Sequence, residues 1–236
     1  MNRVILILFI FGFYQTAFAQ SRVSVEVGLR SDRHTSIYTE LPDSMYMISG
    51  RYIEPREYIG LGYDKDYPDK KWGYNINVFY TNLYLTYLAG RKWKNFTLRA
   101  PEFTSNSGGI YVKNKSVYLN AGVHRSFLRN RFILSLEVGP AFHFHDMDIP
   151  YTASIPQNNE LYTQLEKTHK KLTWNGSAGL STRILKWLTL ETTYMASLTR
   201  VTKPLHFMDE KFSQRVYWEN WNVGLKFSFK LPQKEE

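Results

Sequence analysis

Between residues 22 and 230 the sequence returns repeatedly to one pattern, an apolar residue followed by a polar or small one. Val23, Val25, Val27 and Leu29 alternate with Ser24, Glu26, Gly28 and Arg30. Val117, Leu119, Ala121, Val123 and Phe127 alternate with Tyr118, Asn120, Gly122, His124 and Ser126, and Arg125 is the one charged interruption of the oily series. Phe132, Leu134, Leu136 and Val138 alternate with Ile133, Ser135, Glu137 and Gly139 across the short turn at 129–130, and N-V-G-L-K-F-S-F (222–229) repeats the pattern at the end. Side chains of a strand point alternately to two faces, so each segment is a ribbon with one oily and one polar side. Two architectures suit such ribbons: a sandwich that buries its oily faces, or a membrane barrel that turns them out to lipid.

Further segments lie at 46–52, 59–63, 75–88, 95–100, 172–183, 188–198 and 215–230. They predict ten strands, or eight if the second and third fold into one long loop. E-P-R-E (54–57) reads as a tight turn, and the blurred alternation after Asn77 predicts a bulge near Asn82. Short connections fall near 54–57, 90–94, 128–130 and 185–186; long ones fall near 32–43, 102–114, 145–171 and 201–213, with 65–71 as an exception. Short turns at one end and long loops at the other are how outer-membrane barrels are built, with the N-terminus on the periplasmic side. Within the longest late loop a short helix is expected, capped by Asn158 or Asn159, with Leu161, Leu165 and Leu172 on one side.

The first residues, M-N-R-V-I-L-I-L-F-I-F-G-F-Y-Q-T-A-F-A-Q, combine a basic start, a short apolar run and an Ala17-Phe18-Ala19 site. That is the form of a secretory signal peptide, over residues 1–19, leaving a single domain over 20–236. No later stretch approaches the ~18 apolar residues of a spanning helix, so a membrane-bound chain must be a closed barrel. Cysteine is absent, which rules out disulfides and thiolate chemistry. For an exported chain of net charge +9, anionic lipid headgroups are a better partner than nucleic acid.

Tryptophan placement favours the barrel. Trp93 and Trp187 lie at predicted short turns, and Trp72, Trp174 and Trp218 lie at ends near long loops, with Trp221 one step further in. Interfacial belts place the ring in the headgroup layer at strand ends. Basic residues gather at the same short turns: Arg91, Lys92 and Lys94, then Arg129 and Arg131, then Lys186, with Lys230 after the last strand. The polar faces carry Glu26, Glu137 and Glu191 together with Arg30, Arg99, Arg183 and Lys226. In a narrow lumen such charges must pair or reach water, so Glu26, Arg99, Glu137, Arg183, Glu191 and Lys226 are expected to form a lumenal polar network.

The residues Asn222-x-Gly224-x-x-Phe227-x-Phe229 resemble the C-terminal insertion signal of small outer-membrane β-barrel proteins of the OmpA-like type. G-R-Y-I-E-P-R-E-Y-I-G-L-G-Y (50–63) is similar to an early hairpin of that family, whereas the tail after Phe229 departs from members that end on the aromatic. The resemblance implies an all-β, closed antiparallel transmembrane barrel in the cell outer membrane. Its partners would be outer-membrane lipids and the barrel assembly machinery, without a cofactor.

Two constellations are candidates for chemistry. His143 and His145, with Asp146 and Asp148 just beyond, have donor types that suit a divalent metal. His124-x-Ser126, with Glu137 across the turn, resembles the His-x-Ser and distant Glu of outer-membrane lipid A deacylases. By parity these three face the lumen, where a lipid-cleaving site would not reach acyl chains. D-K-D-Y-P-D (64–69) has three carboxylates but lacks the glycine and terminal Glu of a calcium loop. The expectation is a structural or binding barrel that acts through external loops and is not a wide pore. The alternatives are a lipid-modifying barrel enzyme and a soluble exported β-protein that binds a small apolar ligand.

Overall fold

The computed structural model describes residues 20–33, 37–40, 45–51, 55–67, 71–91, 108–128, 130–148, 163–165, 167–207, 209–212 and 217–231. Its strands are β1 (Gln20–Arg33), β2 (Ile37–Glu40), β3 (Met45–Arg51), β4 (Arg56–Tyr67), β5 (Trp72–Arg91) and β6 (Gly108–Phe127), followed by β7 (Phe132–Asp148), β8 (Leu172–Arg183), β9 (Leu188–Ser197), β10 (Leu205–Phe207), β11 (Glu210–Phe212) and β12 (Glu219–Lys230). β1 pairs with β4, and pairing continues through β5, β6, β7, β8 and β9 to β12, which pairs back with β1, every pair antiparallel. Eight strands therefore close the ring. Closure matters because lipid offers no partner to an open strand edge.

The count corrects the expectation of ten. The segment at 46–52 is β3, which pairs with β5 over 85–91, while β4 pairs with the same edge of β5 over 72–81. β3 and β4 run in the same direction along β5, so E-P-R-E is not a reversal but an interruption in one long line. Pairing to this edge of β5 breaks off after Arg51↔Leu85 and resumes at Tyr58↔Thr81, so the irregularity expected near Asn82 falls where β5 changes partner. β5 itself is unbroken there, pairing with β6 from Trp72↔Arg125 to Ala89↔Gly108. β2 adds to the outer edge of β3, outside the ring. The predicted strand at 95–100 lies outside the described residues.

The connections also sort more cleanly than the sequence suggests. Short turns at 68–71, 128–131 and 184–187 share one end with both ends of the barrel chain, and the connections at 34–55, 92–107, 149–171 and 198–218 share the other. The apparent exception at 65–71 is thus a short turn. Of the turn expected at 90–94, residues 90 and 91 still belong to β5 and 92–94 lie outside the described residues. In the 128–131 turn Asn130 takes a left-handed φ of 63°, which Asn tolerates well.

Burial follows parity with the polarity of a soluble protein reversed. On β7, Ser135 and Glu137 are 7 % and 9 % exposed while Leu136 between them is 57 % exposed. Val23, Val27, Leu29, Ile59, Leu61, Val123, Val223 and Leu225 are likewise exposed, and their polar neighbours Ser24, Glu26, His124, Asn222 and Lys226 are buried. A wall of exposed branched aliphatic residues this extensive is stable in lipid and not in water. The outward residue Arg125 fits as well, because its guanidinium lies 5.1 Å from the Trp72 ring and 5.4 Å from the Phe127 ring, close to the short-turn end.

Trp72 and Trp187 mark the short-turn end, and Trp174 and Trp221 the long-loop end, all exposed. Trp72 thus sits at the opposite end from the one expected, Trp93 lies outside the described residues, and Trp218 is buried at 1 % exposure instead of standing in a belt. The expected helix survives as helical turns at 163–165 and 167–168 with Leu165 buried, whereas Leu172 belongs to β8 and faces outward.

In mid β7 the ladder to β6 skips from Ala121↔Val138 to Tyr118↔Ala141, across Gly139 and Pro140. Proline supplies no N–H, and a Cβ at Gly139 would press on the backbone of Leu119 and Asn120, which cannot swing away. Gly139→Val is therefore expected to lower unfolding free energy by about 1–3 kcal/mol, as overpacking does. Urea titration, scored by the heat-shifted band of the folded barrel in detergent gels, measures it; an unchanged midpoint would refute the close approach.

Candidate functional site

The lumen is the one place where charged and polar side chains of every barrel strand converge, and it is built in three layers. Nearest the short turns lies an ionic cluster. Lys226 Nζ donates to Asp64, 3.0 Å and 2.9 Å from its two carboxylate oxygens. Arg22 pairs with Asp66, whose Oδ1 also lies 2.7 Å from His124 Nε2. Register explains the meeting: Arg22 stands across from Asp64 on β4, and Lys226 across from Glu26 on β1. Arg183, Glu137 and Glu191 line the same small cavity, about 40 Å³. Desolvated ions of this kind persist only where each finds a counter-charge or a hydrogen-bond donor.

The middle layer is organised around carboxylates. Glu137 accepts from Asn75 Nδ2, from Asn77 Nδ2 at 2.7 Å, and at 3.4 Å from both Asn120 Nδ2 and Ser177 Oγ. Thr193 Oγ1 donates to Glu191 at 3.2 Å, and the Tyr58 hydroxyl donates to Glu26. Tyr58 reaches Glu26 because Gly28 and Gly224, cross-strand partners on β1 and β12, leave a slot for its ring. A Cβ at Gly28 would lie 2.7 Å from Tyr58 Cε1, and one at Gly224 3.0 Å from its Cζ.

Toward the long loops the lumen is plugged by aromatic and apolar groups. Tyr118, Ala141 and Met195 form a buried cluster with Phe79 packed against it. Tyr58 meets Phe79 edge-on at 6.0 Å, and His143 meets Tyr118 and Trp218 edge-on at 6.1 Å and 4.4 Å. Arg30 Nη2 donates to the Tyr118 hydroxyl at 3.0 Å, with the guanidinium 4.9 Å from that ring. His143 is fixed by Ser116 Oγ at Nδ1 and Thr173 Oγ1 at Nε2, each at 2.8 Å. Arg30, Tyr58, Phe79, Tyr118, His143, Thr173 and Met195 come from seven barrel strands in turn, and Trp218 directly precedes the eighth. Above them Leu165, Val201 and Leu205 are buried among the loop segments.

Of the expected network, Glu26, Glu137, Glu191 and Lys226 are buried in the lumen, Arg183 is partly buried at its edge, and Arg99 lies outside the described residues. Asp64, Asp66 and Arg22 were missed, yet parity could have found them: 58, 60, 62, 64 and 66 share one face of β4. His124 is held by Asp66 and Glu137 by amides, and among the described residues no hydrogen bond joins His124 to Ser126 or Glu137. His143 has a hydroxyl at each ring nitrogen, and the side chains of His145, Asp146 and Asp148 lie outside the described residues. Asn222 and Gly224 face the lumen, while Phe229 faces outward and Phe227 stacks on Trp187 at 6.1 Å.

Removing one partner of the Lys226–Asp64 pair strands a buried cation. Asp64→Asn is expected to cost about 3 kcal/mol of unfolding free energy, with much of it regained in Asp64→Asn/Lys226→Met, where both charges are gone. Tryptophan fluorescence during urea unfolding reads both variants; equal losses in single and double variants would contradict the pairing.

No protein-family model matches the chain, and no curated protein does. Solved structures do. The outer membrane protein OprG from Pseudomonas aeruginosa superposes with a TM-score of 0.52 at 10% identity, covering 89% of this chain and 96% of that one. Neisserial surface protein A (NspA) gives 0.46 at 10% identity, and Ail, the attachment invasion locus protein of Yersinia pestis, gives 0.44 at 11%; each covers 89% of this chain and 99% of its own. At such identities the likeness speaks for the fold, and OprG carries it. With a closed eight-stranded ring and an outer wall that only lipid can solvate, this chain has the fold of the small outer-membrane β-barrel proteins.

Proposed function

We propose that this outer-membrane barrel has a structural or binding role exercised at its surface and its long-loop end, and that its lumen is not a wide diffusion path. The observation that supports this is the plug of Tyr58, Phe79, Tyr118, His143, Met195 and Trp218, to which strands all around the ring contribute. An eight-stranded barrel has room inside for side chains and little else, and here those side chains hydrogen-bond or stack on one another.

Below the plug the ionic cluster and the Glu137 amides occupy the remaining section. A solute crossing the lumen would have to break both layers. What is left for contact with other molecules is the outer wall and the loop segments at the long end.

Purified protein in planar lipid bilayers is expected to give no stepwise ionic conductance. Tyr118→Ala/Trp218→Ala, which removes the two largest fully buried rings of the plug, should introduce at most small steps, because the ionic layer below stays in place. Large, regular steps from the unmodified protein would overturn the reading.

A further inference from the structure

Near the long-loop end β7 presents Phe142 and Phe144 outward, 44 % and 60 % exposed. Next to these rings is a groove of about 800 Å³, lined also by Lys167, Lys171 and Lys203. A neighbouring hollow of about 340 Å³ is lined by Lys167 and Lys203 again, with His206 and Lys211. Oily rings and several cations thus share one concave surface where the strands leave the membrane.

The lysines stand on a defined frame. Lys170 N donates to Val201 O at 2.9 Å, Lys203 N to Thr168 O at 2.7 Å, and His143 N to Lys171 O at 2.8 Å. A bridge between His169 and Thr202 lies between the first two bonds. Beneath it Leu165, Val201 and Leu205 are buried, so the two loop segments are packed together as well as hydrogen-bonded. Among the described residues Lys167, Lys171 and Lys203 form no ion pair.

A molecule complementary to this surface carries negative charge at one end and hydrocarbon at the other, and lies at the membrane boundary. We propose that the groove binds a phosphorylated lipid of the outer leaflet, with Lys167, Lys171 and Lys203 taking the phosphate and Phe142 and Phe144 the adjoining acyl chain. The proposal deepens the surface-acting reading above and rests on it for the end of the barrel concerned. An acidic protein or a free anion would use the lysines and leave the two rings idle. The rings therefore favour lipid.

The test is native mass spectrometry of the folded barrel in a non-ionic detergent, titrated with bisphosphorylated lipid A, with lipid A stripped of phosphate, and with inorganic phosphate. Bisphosphorylated lipid A should bind best. Lys167→Ala/Lys171→Ala/Lys203→Ala should weaken it roughly a hundredfold, at about a factor of five per cation near a charged lipid surface. Phe142→Ser/Phe144→Ser should weaken lipid binding and leave inorganic phosphate unaffected. Each variant is first shown to be folded by its heat-shifted band. Equal binding by the triple variant, or equal binding of the stripped lipid, overturns the proposal. So does phosphate binding that matches lipid binding and ignores the rings. A conducting lumen would count against the closed-lumen role alone, and failed lipid binding against the lipid groove alone.

Discussion

Every polar side chain that strand alternation turns away from lipid must be housed in a lumen only eight strands wide. The space excludes bulk water, so a charge placed there must meet another charge or several donors. The rest of the interior follows from this constraint. Asp64 and Asp66 answer Lys226, Arg22 and His124; three asparagines and a serine answer Glu137; Tyr58 answers Glu26. Where the lumen holds no carboxylate it is filled by rings, and Arg30 lies against Tyr118 as both a hydrogen-bond donor and a cation over the ring.

The last strand shows how tightly outside and inside are coupled. β12 closes the barrel by pairing with β1 from Arg22↔Lys230 to Arg33↔Glu219. Its outward residues Val223 and Leu225 meet lipid, and Phe227 stacks on Trp187 beside the short-turn end. Its inward residues carry Lys226 to Asp64 and, at Gly224, make room for Tyr58. The residues that resemble an insertion signal are therefore also packing determinants. Any side chain larger than hydrogen at Gly224 would displace the ring that holds Glu26.

The alternation made the fold class legible, because polarity at 22–30, 117–127 and 132–139 survives without change in the burial of β1, β6 and β7. Strand number was not legible from local chemistry. Pro55 in the charged run E-P-R-E looks like a turn, and only the unbroken length of β5 shows that β3 and β4 lie in line along it. The charges and proline of 64–69 suggested a loop, which hid Asp64 and Asp66 although they keep the parity of β4. Trp218 looked like a belt residue because sequence position distinguishes a strand's end from its middle but not the lipid side from the lumen side. The acids Glu26, Glu137 and Glu191 were legible; the partners that Glu26 and Glu137 find on other strands depend on tertiary pairing and were not, whereas Glu191 is met by Thr193 of its own strand.

Loop and lumen meet at His143, whose ring and backbone do different work. The ring of His143 is held by Ser116 and Thr173 and packs against Trp218 in the plug, while its backbone N–H holds the carbonyl of Lys171 in the loop frame. A substitution that removed the ring would empty part of the plug and leave the backbone bond to Lys171 in place. Changes confined to the lysine side chains touch neither the ring nor the backbone bond. The surface at the long-loop end can thus be altered in charge, and the plug at His143 in its ring, while the main-chain bond between β7 and Lys171 keeps the two in register.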